Sequence, residues 1–461
     1  MVVSHPFPIS TRDPSTSIAL RDGIVTRQIH HSYAQHYEHL LESGLYRKLT
    51  EQGLLIPHKE IETATAPDVY KVLQPERVKF ISYGQEWTFS QLKDAALCTL
   101  AIQKIALQFG MVLKDATTQN VQFHKGKPIL IDTGSFHLYK EGEPWLAYGQ
   151  FCRHFLTPLA LMSFRDVRLA KLMQTHLDGI PLDLGTALLP WTAYLSDASL
   201  LFHLLFHARM QSIACTAKNV DAFRLNKSYL QRSSLSLLSE DLERAIKKLR
   251  LPGMKSRWAT YYRENTYTDA QMEQKESLVS SCLDALSPQF VWDLGANSGM
   301  FSKIASKRGI ETIALEIDPI SAELIYLDVV KDRIDNLLPL IVDLTNPTPG
   351  QGWNYGQQRA LIDRGRPDTV LALALIHHLA IALSIPLSEI AFFLARISKS
   401  LIIEFVPKSD NQVANMLSLR EDIFPDYNQN GFERAFLPFF TIARTHPIDD
   451  SERIIYMMVR R

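Results

Sequence analysis

The sequence has little of what would take it out of the ordinary globular class. Cysteine is scarce: Cys98, Cys152, Cys215 and Cys282 are the four in 461 residues. They lie far apart, so neither a disulfide framework nor thiolate metal-ligand spacing is present, and buried reduced thiols are expected. Net charge is lacking, with 49 basic residues against 49 acidic ones, which disfavours nucleic acid and anionic membranes as partners. No apolar run approaches the roughly 20 residues that a membrane helix requires. The opening Met1-Val2-Val3-Ser4-His5-Pro6 lacks the charged and apolar regions of a signal peptide. These absences point to the cytoplasm and to no membrane contact. Repeats and low-complexity tracts are also missing. What remains is a chain of ordinary composition, long enough for two or three domains.

The organising stretch is Phe290-Val291-Trp292-Asp293-Leu294-Gly295-Ala296-Asn297-Ser298-Gly299-Met300-Phe301-Ser302. An apolar run leads to an acid, then to small residues at alternate positions, then to the start of a helix. This predicts a strand, a tight turn and a helix N-terminus, where backbone can approach a ligand closely. The Asp-x-Gly-x-Asn-x-Gly pattern is not the dinucleotide fingerprint Gly-x-Gly-x-x-Gly.

Further on, strand-like and helical patterns alternate, which predicts a parallel sheet with helices on both faces. Thr312–Pro319 carries Glu316 and Asp318 at its end, and Leu338–Pro347 carries Asp343. Asp368–Leu379 ends in His377-His378, and Ser400–Lys408 carries Glu404 and Lys408. Phe440–Ala443 and Arg453–Val459 predict a closing antiparallel hairpin. In open sheets of this kind ligands sit beyond the C-terminal strand edges, where these residues fall.

This region resembles the class I S-adenosylmethionine (SAM)-dependent methyltransferases over about 250–461. The resemblance implies that Asp293, Gly295, Asn297 and Gly299 form the cofactor turn, and that Glu316, with Asp318 as alternative, accepts from the ribose hydroxyls. Asp343 and Leu344 then mark the adenine end. His377 or His378 falls where the pocket passes to the acceptor, and an imidazole there can take an acceptor proton. Glu404 and Lys408 are candidates for the acceptor pocket. The sulfonium leaves as a neutral thioether, so methyl transfer requires no metal.

The N-terminal half begins with a predicted hairpin over Ile18–Ile29, turning at Asp22-Gly23. A helix over Ser32–Glu42 follows, then strand-like runs near Gly53–Ile61 and Tyr70–Ser82, then a helix over Phe89–Phe109. Asp115 is followed by Asn120, a hairpin, and Asp132 at a strand end. This resembles the catalytic loop and metal-binding Asp of protein and small-molecule kinases. The resemblance implies Asp115 as loop base, Asn120 and Asp132 as magnesium ligands, and Arg27 in place of the strand Lys, with Glu38 or Glu42 as its partner.

Departures are plain: Leu113-Lys114 replaces His-Arg, Thr133 replaces Phe, and no Gly-rich phosphate loop precedes them. Three readings stay open: a kinase-like fold without phosphoryl transfer, a module taking Mg-ATP, or Asp115, Asn120 and Asp132 as turn and cap residues. Trp258–Tyr267 either lies over the cofactor pocket or clamps the domains together.

The expected class is α/β. A Rossmann-like seven-stranded methyltransferase domain over 251–461 is preceded by an α+β kinase-like domain over 1–250. The latter has a small lobe to about 85 and a helical lobe from about 86, with the linker at Leu251-Pro252-Gly253. The expected activity is methylation of an oxygen or nitrogen on a small molecule or saccharide. A SAM-binding scaffold without turnover and a bifunctional kinase-methyltransferase are the alternatives.

Overall fold

A computed structural model describes residues 13–21, 24–62, 66–216, 232–253, 267–418 and 421–461. The Asp22-Gly23 turn and most of the Trp258–Tyr267 segment lie outside the described residues. The chain is mixed α/β and divides into two compact units. The first comprises 1–254 and 348–360, the second 255–347 and 361–461. Among the described residues no helix is long and apolar enough to cross a membrane.

In the first unit an antiparallel sheet is ordered β1-β2-β4-β3, from β1 (Thr16–Arg21), β2 (Ile24–His30), β3 (His58–Glu60) and β4 (Val69–Pro75). Ile29 and Leu73 pack there with Tyr33 and with Tyr37 of α1 (Ala34–Glu42). The strand expected over Gly53–Ile61 shrinks to the three residues of β3, and that expected over Tyr70–Ser82 stops at Pro75. A proline has no backbone N–H to continue a ladder.

The long helix α2 (Phe89–Gln108) starts at a capping box: Gln91 N–H donates to Thr88 Oγ1 at 3.3 Å and Thr88 N–H to Gln91 Oε1 at 2.9 Å. Two short antiparallel pairs follow. One joins β5 (Met111–Leu113) to β8 (Phe136–Leu138), the other β6 (Val121–His124) to β7 (Lys127–Leu130). The described residues that follow are mostly helical and lead to α3 (Arg232–Lys248), which packs on α2. Residues 348–360 join this unit although sequence pattern assigns them to the second. Thr348 Oγ1 donates to Glu86 Oε1 at 2.6 Å and Gln85 Nε2 to Gln358 Oε1 at 2.8 Å.

The second unit holds a seven-stranded sheet in the order β11-β10-β9-β12-β13-β15-β14. Its strands are β9 (Phe290–Leu294), β10 (Glu311–Glu316), β11 (Leu337–Ile341), β12 (Thr369–Ala372), β13 (Ser400–Phe405), β14 (Phe440–Pro447) and β15 (Ile454–Arg460). The first five are parallel neighbours, and β15 runs antiparallel to both β13 and β14. Apolar runs such as Leu401-Ile402-Ile403 suit strands buried on both faces. The helix α4 (Asp269–Leu286) presents Lys275, Val279, Cys282 and Leu283 as its buried stripe, at helical spacing. Val279, Cys282 and Leu283 pack with Val291, Phe301, Leu371 and Ile402 in one core cluster.

Candidate functional site

β9 delivers Asp293 to the sheet edge, and the chain then turns sharply. Gly295 has φ +71° and its N–H donates to Leu315 O of β10 at 2.8 Å. A Cβ at Gly295 would meet Leu375 Cδ1 at 3.2 Å. Asn297 also takes the left-handed region at φ +50°, a conformation that asparagine tolerates better than most residues. Gly299, at φ +75°, precedes α5 (Met300–Ser306); a Cβ there would meet Ile325 Cγ1 at 2.9 Å. Gly299 therefore serves helix packing, and it is not on the cavity wall.

The turn opens onto a cavity of about 320 Å³ within the second unit. Asp293, Gly295 and Asn297 line it with Glu316, Asp343 and Leu344, so acids from three strand ends share one space. Asp293 accepts from Ser302 Oγ at 2.5 Å, yet burial pushes its carboxyl up to about 6. Glu316 accepts from Asn297 N–H at 2.6 Å and Asp318 N–H at 2.8 Å. Burial outweighs those amides and raises it to about 7. Each carboxylate oxygen has a second lone pair, so both can still accept from a ligand hydroxyl.

Asp343 is half-exposed and accepts from Thr345 N–H at 2.8 Å and Thr345 Oγ1 at 2.6 Å. Asp318 is different. Its Oδ2 caps the helix α6 (Pro319–Asp332) by accepting from Ser321 N–H at 2.9 Å and Oγ at 2.7 Å, off the cavity wall.

The opposite wall is apolar, with Leu373, Leu375, Leu379 and Leu383, and includes His378. Burial takes His378 down to about 4, so its ring is neutral at physiological pH. His377 departs from expectation: it is fully buried and off the wall, and neither ring nitrogen has a hydrogen-bond partner. Burial, and then the neighbouring His378, take it well below the ordinary range. Its ring packs on His378 at a centroid distance of 4.2 Å. Ala374, which also lines the cavity, has φ +50°, a strained conformation for a residue with a Cβ.

Glu404 and Lys408, expected near the acceptor, are not among the residues that line this cavity. Lys408 ion-pairs with Asp422 at 2.7 Å on the surface. Glu404 is fully buried and accepts from Lys275 Nζ at 2.6 Å, from Arg453 at 3.3 Å and from the Tyr267 hydroxyl. Burial works to raise its carboxyl, but the Lys275 and Arg453 charges outweigh that and hold it below the usual range. Lys275, which sequence reading passed over, reaches the cavity wall, as does Tyr267, the last residue of the segment expected over the pocket or between the domains. A signal existed: a lysine on the apolar stripe of one helix and a glutamate inside an all-buried strand require each other.

In the first unit the structure brings Arg27, Asp115, Asn120 and Asp132 together. Asn120 Nδ2 donates to Ser135 Oγ at 3.1 Å, and that hydroxyl donates to Asp132 Oδ2 at 2.6 Å. Gly134 N–H donates to Asp132 Oδ1 at 2.9 Å, and Arg27 ion-pairs with the same oxygen. Arg27 thus spends its guanidinium on Asp132, whereas Glu38, offered as its partner, takes the Tyr70 hydroxyl at 2.5 Å. Asp115 is raised to about 6 by burial and by the Asp132 charge. Among the described residues no group of three or more His, Cys, Asp or Glu is arranged to hold a metal ion.

No family model matches the chain. Solved structures give partial likenesses. The bifunctional kinase-methyltransferase WbdD is 12% identical over 44% of this chain and 41% of that one, with TM-score 0.31. Magnesium protoporphyrin IX methyltransferase (ChlM) from Synechocystis PCC 6803, with bound SAH, is 20% identical over 44% of this chain and 93% of that one, with TM-score 0.33. An rRNA methylase from Escherichia coli is 14% identical over 58% and 88%, with TM-score 0.30. Likenesses this low assign nothing to this chain. Nodulation protein NoeA of Rhizobium meliloti (strain 1021) is of another order, 34% identical over 461 residues that span 98% of this chain and 95% of that protein. With that identity sustained across both units, the chain belongs to the family of nodulation protein NoeA.

Proposed function

We propose that the second unit binds SAM and transfers its methyl group to an oxygen or nitrogen of a small molecule or saccharide. The observation that carries this reading is that Asp293, Glu316 and Asp343, from three neighbouring strand ends, line one cavity beside the Gly295–Asn297 turn. Glu316 is the ribose ligand, and Asp343 with Leu344 forms the adenine end. Asp293 supports the turn beneath the amino-acid tail. The raised carboxyls of Asp293 and Glu316 favour a ligand that brings positive charge, as a sulfonium does.

Rate acceleration then comes chiefly from aligning acceptor, methyl carbon and sulfur in line. His378 is the proton acceptor, and His377 fixes its ring from behind. A base held near 4 takes a proton readily only once the attacking atom has become cationic, so His378 acts late in the transfer.

The test incubates the full chain with isotopically labelled SAM and a metabolite extract, and follows the label by mass spectrometry. A labelled product lost on Glu316→Ala supports transfer. SAM binding without any labelled product favours a scaffold role. For the first unit the Arg27–Asp132 pair favours the reading without phosphoryl transfer, because Arg27 already supplies the countercharge that a metal would. Magnesium-dependent ATP binding abolished by Asp132→Ala would reverse that.

A further inference from the structure

Among the described residues lining the cavity, Lys275 is the only lysine or arginine; the other charged side chains there are Asp293, Glu316 and Asp343. Lys275 is 2% exposed on the apolar stripe of α4, where a leucine or methionine would pack at less cost. Glu404, 0% exposed, holds it there at 2.6 Å. Behind Glu404 stands Arg453, whose Nε donates to Asp410 Oδ2 at 2.7 Å and whose guanidinium lies 4.3 Å from the Tyr267 ring centroid. Two cations and two carboxylates therefore balance; burial lowers the Lys275 ammonium from its ordinary range, and the Glu404 carboxylate works against that. An ammonium has three N–H donors. One goes to Glu404 and a second to the Tyr267 hydroxyl at 3.3 Å, and among the described residues no third acceptor is in reach.

Position says what the spare donor meets. In the strand order β11-β10-β9-β12-β13, Asp343 and Glu316 stand at the β11 and β10 ends. Lys275 is tied to Glu404 of β13 and faces Phe301 at 5.1 Å, past the Asp293 turn. A nucleoside held at β10 and β11 directs its 5′ substituent towards this end.

We infer that Lys275 is the anion-binding group of the cavity and receives a carboxylate on the aliphatic tail of the nucleoside ligand. The inference rests on the cofactor reading above and adds which end of that ligand is recognised, and by what. Glu404 and Arg453 are positioning residues: Glu404 aims the ammonium, and Arg453 holds Glu404 in place.

Calorimetry on the full chain tests it with S-adenosylhomocysteine, its carboxyl methyl ester and 5′-methylthioadenosine. The ester is expected to bind the wild type at least tenfold more weakly than the acid. Lys275→Met should weaken the acid at least tenfold and leave 5′-methylthioadenosine unchanged. Equal binding of acid and ester to the wild type overturns the inference whether or not the variant folds. Binding of none of the three to the wild type removes the cofactor reading itself, and this inference with it.

Discussion

In the first unit Asp132 meets Arg27, a serine hydroxyl and a backbone amide, so its charge is answered from within the fold. In the second unit Asp293, Glu316 and Asp343 face a cavity where Lys275, the one lysine or arginine among the described lining residues, is tied to a different carboxylate. Both units concentrate acids beside a tight turn, and sequence alone draws the two clusters alike. The difference lies in who supplies the countercharge. A carboxylate already paired stabilises structure and has little left for a ligand, whereas the Asp293 and Glu316 carboxyls, raised by burial towards neutrality, hold free energy that a cationic or hydroxyl-bearing ligand can release.

The comparison breaks most visibly at Arg27. Arg27→Met leaves Asp132 buried without its cation and should destabilise the first unit by about 3–5 kcal/mol in denaturant unfolding. If millimolar magnesium restores that loss, the carboxylates accept a metal once the arginine is gone, and the contrast between the units narrows. Glu316→Ala should weaken S-adenosylhomocysteine roughly 100-fold in calorimetry, since hydrogen bonds to a charged group contribute about 1.5–3 kcal/mol each. Unaltered affinity would show that Glu316 does not meet the ligand.

The pH dependence is gentler. Asp293 near 6 and Glu316 near 7 are raised in the folded state, so the folded chain binds more protons than the unfolded one. Their contribution to ligand-free stability therefore falls as pH rises from the unfolded carboxyl range through 7. Affinity for SAM should move the other way, rising roughly tenfold from pH 6 to pH 8 as Glu316 ionises. A flat titration would show that these carboxyls do not meet the ligand. The smallest effect expected is at the histidines. His378→Ala should slow single-turnover methyl transfer about tenfold, at the weak end of general-base effects because its pKa is so low. His377→Ala should act only through the packing of that ring; equal rate losses for both would put His377 back in the chemistry.

Much of the second unit was legible because its signals are local. The apolar run before Asp293, the glycine bend and acids closing Thr312–Glu316 and Leu338–Asp343 are set by neighbours along the chain, and the strands formed where they predict. Asp318 and Gly299 were harder. Both sit within a few residues of true wall positions, and only the φ/ψ path of the turn decides whether a side chain faces the cavity or caps a helix. His377 and His378 pose the same problem one residue apart, because adjacent residues on a helical turn point to different sides. In the first unit the helices at 34–42 and 89–108 were periodic enough to predict, whereas Gly53–Ile61 has strand-like composition with almost no ladder to join.

By itself the sequence determined the α/β class, the order of strands and helices through the second half, and the presence of two acid-rich turns. Each of these follows from hydrophobic periodicity and turn chemistry, which act over a few residues. Tertiary structure alone decided that Arg27 answers Asp132, that Lys275 and Glu404 meet across the 129 positions between them, and that residues 348–360 pack with the first unit. Ionic pairing depends on distance in space and on the surrounding dielectric, and neither is written in the spacing of residues along a chain.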